Sequence, residues 1–162
     1  MSPMRVATIG VYGFDAETFV ATLGDAGVGR VVDVRQRRGV RGSEYAWANS
    51  QRLQALLAET GIEYRHRKDL APTTELRRLQ YAEDDRQGVG KRSLVELAPE
   101  YARRYLAEIL AAVDLDALAG ELAAGLPPAI MCVERDPEAC HRSLIAARLA
   151  AEHGARVTHL RP

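Results

Sequence analysis

Ile130-Met131-Cys132-Val133-Glu134-Arg135-Asp136-Pro137-Glu138-Ala139-Cys140-His141-Arg142 is the stretch on which the fold turns. The apolar run from Pro128 to Val133 has the length and composition of a buried strand, and a carboxylate follows it. Asp136-Pro137 then gives a helix-start signal, an acidic N-cap followed by proline at the first helical position. A buried strand, a short turn and a helix make the unit from which parallel α/β sheets are built. Both cysteines of the chain fall inside this unit. One is on the strand and one in the first helical turn, beside an imidazole and a guanidinium, where the helix dipole favours negative charge.

Working outward, the same alternation recurs. Arg5-Val6-Ala7-Thr8-Ile9-Gly10 and Arg30-Val31-Val32-Asp33-Val34-Arg35 read as a first and a second strand, and Ile62-Glu63-Tyr64-Arg65-His66 as a third. A helix capped by Asp15 places Phe19, Val20 and Leu23 at helical spacing, and a helix from Ser50 to Gly61 carries Leu53, Leu56 and Leu57. Thr73 or Thr74 caps a further helix to about Asp85, and a glycine-containing loop follows over residues 86–92. A long helical region begins near Pro99, with a break near Asp114, and closes at Pro127-Pro128. After the motif helix, which ends at Gly154, a last short strand spans Val157 to Leu160. The expectation is one α/β domain over residues 1–162: three layers, with a mainly parallel sheet of about five strands flanked by helices.

With 162 residues the chain can bury one good core, and two domains are improbable on length. It has no apolar run of roughly 18 residues to span a membrane. Met1-Ser2-Pro3-Met4-Arg5 leads straight into the first strand, with no signal peptide in view. The expected setting is the cytoplasm, with both cysteines as reduced thiols. Net charge is zero, which argues against strong non-specific binding to nucleic acid. The charge is uneven, however. Within residues 35–68, Arg35, Arg37, Arg38, Arg41, Arg52, Arg65, Arg67 and Lys68 stand against only Glu44, Glu59 and Glu63. Because 20 of the 22 basic residues are arginine, part of this excess is compositional.

Ligands of parallel sheets gather outside the carboxyl ends of the strands, and the unusual residues lie there. Period two places Asp33 and Arg35 on one face, and Cys132 and Glu134 on one face. Glu134 suits a general acid/base or nucleophilic carboxylate or, equally, an ion pair with Arg35 or Arg142; Asp33 is a second candidate acid whose position favours the ion-pair role. Arg35, Arg37, Arg38, Arg41 and Arg142 suit a phosphate clamp, and Tyr45 and Trp47 in the same basic loop offer stacking faces for a base. The bland alternative for Trp47 is packing against the core.

Cys140 sits where a helix end and neighbouring cations raise the thiolate fraction, so it is a candidate nucleophile. Successive helical residues point about 100° apart, so Cys140 and His141 are not expected to hydrogen-bond. Cys132, Cys140 and His141 are weak metal candidates, since their spacing fits no standard zinc knuckle. The sequence leaves any cofactor unknown.

Taken together, Thr8-Ile9-Gly10, Val32-Asp33-Val34-Arg35, Gly61-Ile62-Glu63-Tyr64 and Met131-Cys132-Val133-Glu134 with Asp136-Pro137 and Cys140-His141-Arg142 resemble the bacterial and archaeal family called domain of unknown function 488. The last combination is the specific one. The resemblance implies a compact α/β domain and brings no established activity. It departs at Val11-Tyr12, where family members commonly carry His-Ser, and at Leu70-Ala71-Pro72, where many carry Leu-Gly-Gly. If the His-Ser pair takes part in the family's chemistry, the departure implies a diverged or inactive member.

The leading expectation is a protein that binds a small anionic ligand, nucleotide-like or nucleic-acid-like, with carboxylate-dependent hydrolase or transferase chemistry. One alternative is a thiol- or metal-dependent protein in redox or sulfur transfer. The Asp33-Val34-Arg35 strand end resembles that of rhodanese-type sulfurtransferases, although their loop of Cys followed by Arg and Gly is missing. The other alternative is a binding module without catalysis. No membrane partner is expected, and the sequence sets no oligomeric state.

Overall fold

The computed structural model describes residues 3–88 and 97–162. Its strands are β1 (Arg5–Gly10), β2 (Arg30–Asp33), β3 (Glu63–His66), β4 (Pro128–Cys132) and β5 (Arg156–His159). They pair in the order β3-β2-β4-β1-β5, and every pairing is parallel. The three inner strands are almost wholly buried, whereas β3 and β5 at the edges alternate between half-buried and exposed. That difference explains the sequence pattern: an inner strand needs apolar residues on both faces, an edge strand does not.

The helices α1 (Ala16–Asp25) and α2 (Ser50–Glu59) cover one face. Phe19 and Leu23 of α1 and Leu53 and Leu57 of α2 pack there with Ile9, Val31 and Met131. Helices α3 (Thr74–Gln87), α4 (Pro99–Arg104), α5 (Leu115–Ala123) and α6 (His141–His153) cover the other. Leu76, Tyr101, Leu118 and Ile145 pack there with Val6, Val32 and Ile130. The result is the three-layer α/β domain expected from the sequence.

Local signals account for several helix ends. The Asp15 carboxylate accepts from Thr18 N at 2.8 Å, and the Thr18 hydroxyl in turn accepts from Asp15 N at 3.1 Å, a reciprocal cap. Thr73 caps α3 through Leu76 N, and Asp114 caps α5 through Ala117 N, the break foreseen in the long helical region. Upstream of that break the chain is less regular than its periodicity implies. After α4 it passes through a π-helical turn, Tyr105–Ile109, and a 3-10 turn, Leu110–Ala112. The loop expected over residues 86–92 lies outside the described residues from position 89 onward. None of the helices described is long and apolar enough to cross a membrane.

Candidate functional site

Strand β4 lies between β1 and β2, so the chain leaves the sheet in different directions around it and a crevice opens beyond its carboxyl end. A cleft of about 550 Å³ occupies that position. Tyr12 after β1, Arg37 and Arg41 after β2, and Glu134 after β4 reach it from the sheet. From the facing helices come Arg77, Tyr81 and Asp84 of α3 and Tyr101 of α4. Cys132, Cys140 and His141 form part of its wall.

Beneath the loop after β2 lies a buried ion pair. Arg35 Nε and Nη2 donate to Asp33 Oδ1 and Oδ2 at 2.9 and 2.8 Å, a bidentate fork, while the Tyr64 hydroxyl donates to Asp33 Oδ2 at 2.5 Å. Arg35 Nη1 donates to the Ala48 carbonyl at 2.9 Å, tying the basic loop to the start of α2. Arg35 borders the cleft, but its guanidinium is already committed to Asp33. This is the structural pairing considered for Asp33.

The motif helix begins later than its Asp-Pro signal indicates. Asp136 opens a 3-10 turn, Pro137–Ala139, and makes no capping bond; its carboxylate instead meets Arg135 and Arg161. That turn closes through Cys140 N donating to Pro137 O, and Cys140 itself is the extended N-cap of α6. The expectation that Cys140 lies within the helix and cannot meet His141 is therefore corrected. Extended backbone at the cap swings the thiol back, and Cys140 Sγ lies 3.6 Å from His141 Nδ1. His141 Nε2 donates to the Val34 carbonyl at 2.9 Å, which leaves Nδ1 as the lone pair facing the sulfur. Burial drives the His141 pKa down to about 4.

The two cysteines were expected as separate reduced thiols. Instead Cys132 Sγ and Cys140 Sγ meet in disulfide contact across the end of β4, with Cα atoms 7.2 Å apart. The parallel sheet and the late helix start bring together residues that the sequence separates by a turn. The sulfurs and the His141 nitrogen lie within 4.8 Å of one another, the group of metal-ligating atoms found among the described residues.

Arg142 points inward and has no solvent exposure. Its Nη1 donates to Glu134 O at 2.7 Å and to Cys132 Sγ at 3.0 Å, and its Nη2 to Arg135 O at 3.1 Å. No carboxylate among the described residues pairs with it, and burial pulls its pKa down to about 10. It braces the loop after β4 from below.

Of the residues singled out in the sequence, Arg35, Arg37, Arg41, Glu134, Cys132, Cys140 and His141 share the cleft. Asp33 and Arg142 lie under it, and Arg38 turns away to the Tyr64 hydroxyl at 3.4 Å. Tyr45 donates no face to the cleft: its hydroxyl accepts from Gly13 N and its ring lies against Tyr12. Trp47 packs on Phe19, centroids 4.9 Å apart, the core role weighed for it. Sequence reasoning passed over Arg77, Gln80, Tyr81 and Asp84. They recur at helical spacing on the inner face of α3, a polar stripe readable once that helix is assigned.

A parallel α/β domain with a polar cleft beyond its central strand is the class that fold and site define. The chain belongs to the family described as domain of unknown function DUF488, which matches residues 15–149. No curated protein and no solved structure matches the chain.

Proposed function

We propose that the cleft binds a small anionic, nucleotide-like ligand and that Glu134 is the group that reacts with it. The observation that carries this reading is the placement of Arg77. Its Nη1 donates to Gln36 Oε1 at 2.9 Å and its Nη2 to the Tyr81 hydroxyl at 2.7 Å, both neutral partners, and no carboxylate among the described residues pairs with it. Its guanidinium also lies 5.6 Å from the Tyr81 ring centroid. A guanidinium fixed by neutral groups keeps its charge available to an oxyanion. Arg37, exposed at the rim, adds a second cation, and the half-buried Tyr12 supplies ring surface for a base. A cleft of about 550 Å³ suits one nucleotide-sized molecule rather than a duplex. A cytoplasmic setting is part of the same proposal.

The test is thermal unfolding and calorimetric titration with inorganic phosphate, nucleoside mono- and diphosphates and a short single-stranded oligonucleotide. A nucleotide should stabilise the protein more than phosphate does, and Arg77→Met should remove that stabilisation. Glu134→Gln should keep binding and abolish any turnover. An oligonucleotide that binds more tightly than mononucleotides would shift the reading to nucleic acid. Binding with no turnover, unchanged by Glu134→Gln, would make the protein a non-catalytic module. Equal response of wild type and Arg77→Met to every anion would sink the site.

A further inference from the structure

Anion binding at Arg77 leaves the buried end of the cleft unexplained. There, Cys132, Cys140 and His141 turn their ligating atoms toward one point from two different elements, the end of β4 and the N-cap of α6. We propose that, with both cysteines reduced, these three side chains hold a zinc-class divalent metal ion, with a fourth coordination position open toward the cleft.

Four observations converge on this. The first is the set of donors: two thiols and one imidazole, with Sγ, Sγ and Nδ1 all within 4.8 Å. Soft thiolates with imidazole select zinc-class metals over calcium or magnesium.

The second is the orientation of His141. Its Nε2–H is spent on the Val34 carbonyl at 2.9 Å, which fixes the ring and aims the Nδ1 lone pair at the sulfurs. Metal-binding histidines are held in this way, by an outer carbonyl or carboxylate on the other ring nitrogen.

The third is the span between the cysteines. Their Cα atoms lie 7.2 Å apart, beyond the roughly 4.4–6.8 Å that disulfides usually bridge. Two thiolates on a tetrahedral zinc are held about 3.8 Å apart, given Zn–S bonds of about 2.3 Å. Once the disulfide is reduced, this span gives the sulfurs room to part to that separation around a shared metal.

The fourth is charge. Two thiolates balance a divalent ion, and Arg142 Nη1 at 3.0 Å from Cys132 Sγ supplies an N–H···S bond that steadies the thiolate. The N-terminus of α6 does the same for Cys140.

The group offers three protein ligands, and its members also border the cleft. Three ligands with one open position is the arrangement of zinc sites that bind a water or substrate atom, in contrast to the closed four-ligand structural sites. Glu134, two residues beyond Cys132, borders the same cleft.

The experiment uses the full chain, reduced and freed of metal, titrated with Co²⁺ and then Zn²⁺ with no anionic ligand present. Expected are one equivalent of Co²⁺ per chain, thiolate-to-cobalt charge-transfer absorption, its loss on zinc addition, and a higher melting temperature with zinc. Cys140→Ser and His141→Gln should each weaken binding by about tenfold or more, in line with the effect of disturbing metal shells. Circular dichroism shows whether each variant is folded; if one is not, the wild-type cobalt spectrum still reports whether thiolates ligate. The proposal is overturned by a reduced, folded wild-type protein that takes up no stoichiometric cobalt. It is equally overturned by uptake without charge-transfer bands, by folded variants that bind as wild type does, or by a disulfide that persists under mild reductant. Anion binding is read separately in the presence of a chelator, so each idea fails on its own measurement.

Discussion

The guanidinium of Arg142 reaches the sulfur of Cys132 at 3.0 Å from a position with no solvent exposure. Next to Cys-His at a helix start, this arginine looks like an anion anchor in the sequence. In the fold it is a buried brace that also holds the carbonyls of Glu134 and Arg135. Arg142→Met leaves those two part-buried acceptors without their donor, and a lost hydrogen bond to a charged group costs about 1.5–3 kcal/mol. The variant should lose about 2 kcal/mol of stability, read from urea unfolding midpoints. No loss would mean that water replaces the guanidinium freely.

The Asp33–Arg35 pair sets a different expectation. Both side chains are nearly inaccessible, so removing one partner strands a buried charge. Arg35→Met should cost about 3–5 kcal/mol. Adding Asp33→Asn should recover part of that loss, because the stranded carboxylate is gone. A double variant as unstable as the sum of the singles would show that the two do not couple.

Asp84 carries a pH signature. It is 5% exposed, one of its oxygens accepts from Gln80, and the other has no partner among the described residues. Burial raises its pKa above the ordinary value of 3.8. The folded state then holds this proton more tightly than the unfolded state, so stability falls as pH rises through the ordinary value and on through the raised one. Above both values the cost is fully present. Asp84→Asn lacks it and should melt higher than wild type at neutral pH, with the gap closing in acid. Parallel melting curves across pH would contradict this.

Two glycines should respond in opposite ways to alanine. A Cβ on Gly10 would collide with the Glu134 carbonyl, forcing apart the ends of β1 and β4. Gly10→Ala should cost about 1–3 kcal/mol, the usual range for overpacking, and should disturb the bond from Tyr12 N to Val133 O. Gly24 in α1 has nothing within 4 Å of its added Cβ. Gly24→Ala should be neutral or stabilise by about 0.5–1 kcal/mol. Denaturant unfolding of both variants decides the matter.

The sheet was legible because buried inner strands demand apolar residues on both faces, a pattern plain in Val31-Val32 and in Ala129-Ile130-Met131. The helix starts at Asp15, Thr73 and Asp114 were legible because their caps are local. The start of α6 was not, since Asp136-Pro137 encodes only a turn and the carboxylate prefers two arginines close by. Nor was the irregular stretch after α4. There the Tyr105 hydroxyl donates to the Leu70 carbonyl at 2.6 Å, a bond across the fold that helical periodicity does not reveal. For the site, the basic loop was visible but its division of labour was not. Arg35 is neutralised by Asp33 close by, whereas the groups that hold Arg77 without neutralising it, Gln36 and the Tyr81 hydroxyl, come together only through the fold.

The strand order also dictates a schedule of assembly. β1 pairs only with β4 and β5, both from the last third of the chain. As the polypeptide leaves the ribosome, its first strand therefore waits for more than a hundred residues, while among the described strands only β2 and β3 can join. Such distant pairing slows folding and leaves an apolar edge exposed meanwhile. β4 is the keystone: its arrival joins the two halves of the sheet and carries Cys132 to its place in the same event. The cleft cannot exist in a half-made chain.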